Sequence, residues 1–378
     1  MPIILNTRFC IYTIVVAIIS ACNYPSPKQK MVDQAAAPGI EQDTVLNAAP
    51  DSVVNIAAVG DIMLGSSYPD SSGIPPDSAR STFKYVVKDL KEADIAFANL
   101  EGVLLDSGDP VGYKLNFKHR PYLFRMPERF GGIIKDAGFN VLSVGNNHSN
   151  DFDLQGRKST IRILDSLGIN AAGFKSHPAK TFTKNGVRYG FCAFSPNAQT
   201  VSLLQTKAAQ KLIRDLKAKS DIVIVSFHGG GEGVGFEHVK DSVEIFKGEN
   251  RGNLKLFTHA AIDAGADLVL GHGPHVARGI ELYKKRLIAY SLGNFATYKG
   301  VSVSGICGLA PLLKVKLNKQ GAFLGAQICS YRQDHLAGVK PDTLFRASRK
   351  IKELSEADFL EPGISITNTG TISTLSKN

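Results

Sequence analysis

A chain of 378 residues with 43% hydrophobic side chains has room for one large α/β domain or two ordinary ones, with a sizeable core. The formal net charge is +10, yet Lys and Arg are scattered and only Lys284-Lys285-Arg286 is dense, so nucleic acid is excluded as a partner. A diffusely basic face still suits a polyanion or an anionic membrane surface, and five cysteines with no CxxC argue against a disulfide framework or a thiolate zinc site.

The first predicted element is a leader. Arg8 precedes FCIYTIVVAII, an apolar stretch of 11 residues that is too short to span a bilayer but suits a signal-peptide core. Ile19-Ser20-Ala21-Cys22 follows and resembles a bacterial lipobox, so Cys22 is expected to be lipidated and to begin the mature chain, with plain secretion as the alternative. Residues 23–52, rich in Pro, Ala and Gln, read as a flexible tether. Cys192, Cys307 and Cys329 then remain and read as small core residues.

From residue 53 strands and helices alternate. A buried strand is expected over 53–64, a helix over 83–93, a strand from 94, a helix over 127–138 with Pro at its start and Gly at its end, and a strand over 139–148. Next come a helix over 155–168, a hairpin around Lys184-Asn185-Gly186 (181–194), a helix over 202–219 and a strand over 221–230. A helix over 257–266, a strand over 267–273 and another over 286–295 complete the series. The alternation predicts helices on sheet faces. The hairpin and the late strands add antiparallel pairing, hence mixed sheets. The domain is bounded at 53–362, and the Ser/Thr-rich 363–378 segment is expected to be a loose tail.

Polar clusters recur where predicted strands end: GDIMLG (60–65), NLEG (99–102), GNNHSND (145–151), SFHGGGE (226–232), GHGPH (271–275) and SLGNF (291–295). In open α/β sheets ligands bind just beyond the carboxyl ends of strands, and glycines there let the backbone approach closely. Of nine His, four (His148, His228, His272, His275) fall in these clusters. Carboxylate, amide and imidazole together suit a divalent metal, one or two ions of Mn, Fe or Zn, that activates water or polarises a phosphoryl or carbonyl oxygen. Taken singly, each residue has an ordinary structural role: Asp61 a cap, Asn99 or Asn147 a turn, any His a satisfied core side chain. Their joint occurrence argues for the metal.

These motifs, with FRMPERF and AGFNVLSVGNNHSNDF, resemble in order and spacing the CapA-type capsule and poly-γ-glutamate biosynthesis proteins, which look like members of the calcineurin-like metallophosphoesterase superfamily. The resemblance spans about residues 53–300. It implies a four-layer α/β/β/α sandwich with mixed sheets and a two-metal site at the strand ends. Carried over residue by residue, Asp61, Glu101, Asn147, His228, His272 and His275 are the implied metal ligands, with Asn99 a lesser candidate for the bridging position. His148 is the implied general acid and Asp151 its orienting partner. Asn99, Asn146, Glu232 and Asn294 are expected to support the ligands or to touch substrate. Two departures stand out. Met63 occupies the place of an imidazole in Asp-x-His, and His272-Gly273-Pro274-His275 is one residue longer than His-x-His.

The implied function is that of an exported, lipid-anchored bacterial envelope protein, a metal-dependent hydrolase or transferase. Its substrate would be an anionic envelope polymer or a phosphorylated intermediate, and capsule synthesis or export proteins its partners. The alternatives are a non-catalytic metal-binding partner in polymer synthesis or export, and a secreted metal-dependent phosphodiesterase.

Overall fold

The computed structural model describes residues 53–115 and 122–375; the leader, Cys22 and the tether lie outside the described residues. The first strand, Val53–Met63, shows why the domain is layered. Val54, Ile56 and Ala58 enter one core, while Ala57, Val59 and Ile62 enter another. A strand alternates its side chains between two faces, so apolar residues at successive positions require cover on both. Ile95–Leu100 repeats the pattern: Phe97 faces one core, Ala96 and Ala98 the other.

Two sheets result. The larger has ten strands and the smaller six. In the larger, Val53–Met63, Ile95–Leu100, Val141–Ser143 and Asn170–Ala172 run parallel. In the smaller, Val187–Phe194, Ile222–His228, Leu268–His272 and Arg286–Ala289 run parallel. The middle core joins them: Ile56 and Phe97 from the larger sheet cluster with Phe191, Ile224 and Leu270 from the smaller. Outside the larger sheet lie the helices Phe130–Ala137 and Asp153–Ser166, through Phe130, Ile134 and Leu164. Outside the smaller lie Thr206–Lys217 and Leu254–Asp263, through Ile213, Leu216 and Phe257. This is the expected α/β/β/α sandwich with mixed sheets. Among the described residues no helix is long and apolar enough to cross a membrane.

Three expectations are corrected. The single strand expected over 286–295 is two strands in different sheets. Arg286–Ala289 belongs to the smaller and Asn294–Thr297 lies parallel to the first strand of the larger. The chain breaks at Gly293, in the left-handed region at φ 62°. The 363–378 segment is not loose over its described part. Ile364–Ile366 and Thr371–Thr374 pair with each other, and the latter pairs with Phe323–Asp334, burying Ile364, Ile366 and Ile372. The domain therefore runs past 362. The helix expected over 83–93 is regular only over Val87–Lys91.

Candidate metal centre

Side chains at or just beyond the ends of parallel strands from both sheets meet at one place. Asp61, near the end of the first strand, is in register with Asn99 on one side and Asn294 on the other. Gly60 makes this possible. A Cβ there would come to 2.0 Å from the Gly293 carbonyl oxygen, so only glycine lets the crossing segment pass so close. From the smaller sheet, His228 and His272 end adjacent strands in register with each other.

The longer His272-to-His275 spacing is resolved by backbone geometry. Gly273 (φ 114°) and His275 (φ 58°) both occupy left-handed conformations, uncommon for a non-glycine residue and frequent at functional sites. The turn brings both rings to one carboxylate: His272 Nδ1 lies 3.2 Å from Asp61 Oδ1 and His275 Nδ1 3.3 Å from Asp61 Oδ2. Met63 turns its sulfur to accept from the Gly65 N–H, at 3.3 Å.

Asp61, Glu101 and His275 offer ligand atoms that all lie within 4.8 Å of one another. His275 Nε2 is 3.6 Å from Glu101 Oε1, and Nδ1 donates to Asn294 Oδ1 at 2.8 Å. That second contact fixes the ring and leaves Nε2 facing the carboxylates, the arrangement expected of a ligating imidazole. Asn99 Nδ2 donates to Asp61 Oδ1 (2.8 Å), and Asn146 Nδ2 donates to Asn99 Oδ1 (3.2 Å).

Whether these residues fit a cation is decided by what they lack. Both Glu101 carboxylate oxygens, Asp61 Oδ2, Asn147 Oδ1, His228 Nε2 and both His272 nitrogens are buried without a hydrogen-bond partner. The close Asp61–His272 and Asp61–His275 approaches have ion-pair distances but not hydrogen-bond geometry. Buried polar atoms are normally satisfied, and this set of orphaned ligand-type atoms fits a divalent cation. Ionisation agrees. Burial pushes the Glu101 carboxyl up to about 8, with Asp61, Glu232 and Asp151 adding to the rise against the opposing pull of His275. Burial also raises Asp61, but His272 and His275 outweigh it and hold the group below the usual carboxylate range. Burial drives His228 well below the ordinary histidine value. It lowers His275 too, but Glu101 and Asp61 overcome that and hold this ring well above it.

His148 stands beside this cluster, its Nε2 3.9 Å from Glu101 Oε1. Its Nδ1 donates to Asp151 Oδ2 at 2.8 Å, the pairing expected from the sequence. The carboxylate raises the His148 pKa, but burial is the larger effect and the net shift is downward. Two partners of this pair were not expected. Phe124 stacks its ring on His148 at 4.1 Å and donates its N–H to Asp151 Oδ2 at 2.7 Å. Lys114 pairs with Asp151 Oδ1 and donates to the Asn147 carbonyl at 2.9 Å. These contacts close over 27 and 37 residues of chain; Phe124 opens the FRMPERF motif, but nothing in that motif ties it to Asp151. Glu232 joins the centre only through its charge, because its carboxylate pairs with Arg251. Asn294 holds His275 by both its amide atoms.

The family described as bacterial capsule synthesis protein PGA_cap matches residues 55–299. The chain is 29% identical over 268 residues to "PGA biosynthesis protein CapA" of Bacillus subtilis, covering 66% of this chain and 65% of that one. It is 28% identical over 268 residues to "Capsule biosynthesis protein CapA" of Bacillus anthracis, covering 65% and 60%. The aligned region thus spans less than two thirds of these relatives. Among solved structures it is similar to a 5'-nucleotidase precursor from Thermus thermophilus, with a TM-score of 0.39 and 14% identity over 81% of this chain and 59% of that one.

Proposed function

The chain belongs to the bacterial capsule synthesis protein PGA_cap family, and we propose that it is a metal-dependent hydrolase or transferase acting on an anionic envelope polymer or its phosphorylated intermediates. The observation that carries this reading is the gathering of Asp61, Glu101 and His275 within 4.8 Å, amid buried acceptors that have no partner. Asp61, Glu101, Asn147, His228, His272 and His275 would hold one or two divalent ions. Such an ion supplies Lewis-acid polarisation of a phosphoryl or carbonyl oxygen and a water of lowered pKa.

The chain's own residues do the rest. Asn99 orients Asp61, and Asn294 fixes the tautomer of His275 through Nδ1. His148 holds its proton at Nδ1 against Asp151, which leaves Nε2 facing the centre. In the free protein burial favours the uncharged ring. Negative charge arriving with a substrate favours the imidazolium, the form from which Nε2 would give its proton to the leaving oxygen. Phe124 and Lys114 keep ring and carboxylate from rotating. Lipidation of Cys22 would tether this domain to the envelope.

Elemental analysis of the purified protein, paired with turnover assays on phosphodiesters and γ-linked glutamate polymer, tests the reading. At least one divalent ion per chain is expected, lost in His272→Ala. A protein that takes up no ion when dialysed against Mn²⁺, Fe²⁺ or Zn²⁺ contradicts it. The anchor is tested separately: Cys22→Ser should move the protein to the soluble fraction, and retention after a carbonate wash would refute lipidation.

A further inference from the structure

Arg251 has no part in the assignments above, yet it abuts them. Gly230 donates its N–H to the Arg251 carbonyl at 3.0 Å, and a Cβ on Gly229 would lie 2.9 Å from that oxygen. Its main chain therefore lies against the turn that follows His228. The backbone N–H of Arg251 is held by the Glu244 carbonyl at 2.8 Å, and Glu244 is gripped by the buried Arg278.

The side chain is incompletely used. Its exposure is 5%, Nη2 pairs with Glu232 Oε1, and the guanidinium carbon sits 5.6 Å from the centroid of the Phe246 ring. Nη1 approaches the exposed Glu249 carboxylate at 3.7 Å without a hydrogen bond. Nε and Nη1 are both buried without a hydrogen-bond partner. A buried guanidinium with open donor edges is costly to keep, and its planar fork matches an oxyanion. Its charge reaches His228, and that of Glu232 reaches Glu101, His148 and His275. The two partners differ in freedom: the Glu232 side chain is 19% exposed and can turn to water, whereas Arg251 is walled in.

We propose that Arg251 is the oxyanion-recognition residue beside this centre, and that Glu232 occupies its guanidinium in the free protein and yields it to a phosphate or carboxylate of the substrate. The inference deepens the reading above, since it names what that site recognises. Phosphate and glutamyl carboxylate share the chemistry, so both are probed.

Calorimetric titration of the full-length protein, once stripped with EDTA and once loaded with Mn²⁺, uses inorganic phosphate in one arm and a short γ-linked glutamate oligomer in the other. The wild type should bind at least one probe, and the arm that binds identifies the source. Arg251→Gln should weaken that binding about 10–100-fold, the range of a lost charged hydrogen bond, with Mn²⁺ content unchanged. Arg251→Lys should recover part of it, and Glu232→Gln should tighten it by freeing the fork. Binding of neither probe, unchanged binding in Arg251→Gln, or loss of Mn²⁺ in that variant overturns the proposal. Weakening by Glu232→Gln equal to that of Arg251→Gln overturns the exchange. Failure of the wild type to load Mn²⁺ counts against the metal reading alone, because the stripped arm still decides Arg251.

Discussion

Two buried polar clusters sit close together in this domain and are built on opposite terms. In one, Arg278 is fully buried and Glu244 nearly so, yet every edge is used. Nη1 and Nη2 donate to the two Glu244 oxygens at 2.8 and 2.7 Å, Nε donates to the Phe236 carbonyl at 2.7 Å, and Glu244 also accepts from the Gly231 N–H. In the other, Asp61, Glu101, His228 and His272 are equally buried, and seven of their ligand-type atoms counted with Asn147 Oδ1 find no hydrogen bond. The first cluster is complete by itself and holds the 229–252 loop in place. The second leaves ligand-type atoms open that a divalent cation would satisfy. Burial is common to both, so hydrogen-bond satisfaction separates a structural ion pair from a binding site.

The largest effect should come from breaking the satisfied cluster. Arg278→Ala leaves Glu244 buried and unpaired, and chemical denaturation should show a loss of about 3–5 kcal/mol. A loss under about 1 kcal/mol would mean that water enters and the pair is not truly enclosed.

Of similar size, but in rate and not stability, is the effect of His148→Ala. Turnover of whichever substrate is found should fall about 10²–10⁴-fold, the usual range for a proton-transferring group. Metal content should stay near wild type, whereas Asn147→Ala should lose metal as well. Equal metal loss in the two variants would reassign His148 from chemistry to ligation.

The smallest effect sharpens the contrast most, because its sign is reversed. In metal-free protein near neutral pH Glu101→Gln should gain about 1–3 kcal/mol, since the amide stays neutral without holding the proton that burial forces on the carboxyl. The gain should depend on pH. Glu101 titrates at about 8 in the folded chain and at an ordinary 4.5 when unfolded. Between those values the native state holds the extra proton, so wild-type stability falls as pH rises through that window. The advantage of the Gln variant should grow over the same window and vanish when metal is added. A variant less stable than the metal-free wild type would show that Glu101 is satisfied by something other than a cation.

Much of this is legible in the sequence. An apolar run that ends in Gly and a carboxylate, amide or imidazole places a polar side chain at a strand's carboxyl end, and six such runs point to the centre. Spacing alone does not disclose how His272 and His275 both reach Asp61, because the left-handed turn at Gly273 and His275 is a tertiary outcome. RLIAYSLGNF reads as one strand because apolar residues recur on both sides of Ser291 and Gly293; only the packing of Gly293 against Gly60 shows that the chain leaves one sheet for the other. The end of the chain misleads for the opposite reason. Its Ser and Thr content hides Ile364, Ile366 and Ile372, although Ile364 and Ile366 already show the period-two spacing of a half-buried strand. The contacts of Lys114, Phe124 and Arg251 are not legible, since their partners are distant along the chain, even though Phe124 opens the FRMPERF motif.

The unsatisfied cluster has the donor set of a cation site. The most direct test of that reading is an anomalous difference map from crystals of this protein soaked in Mn²⁺. A peak is expected about 2.0–2.6 Å from Asp61 Oδ2, a Glu101 oxygen and His275 Nε2, and none is expected beside Arg278 and Glu244. A map with no peak between Asp61, Glu101 and His275, or with Mn²⁺ bound only elsewhere on the chain, would contradict the account.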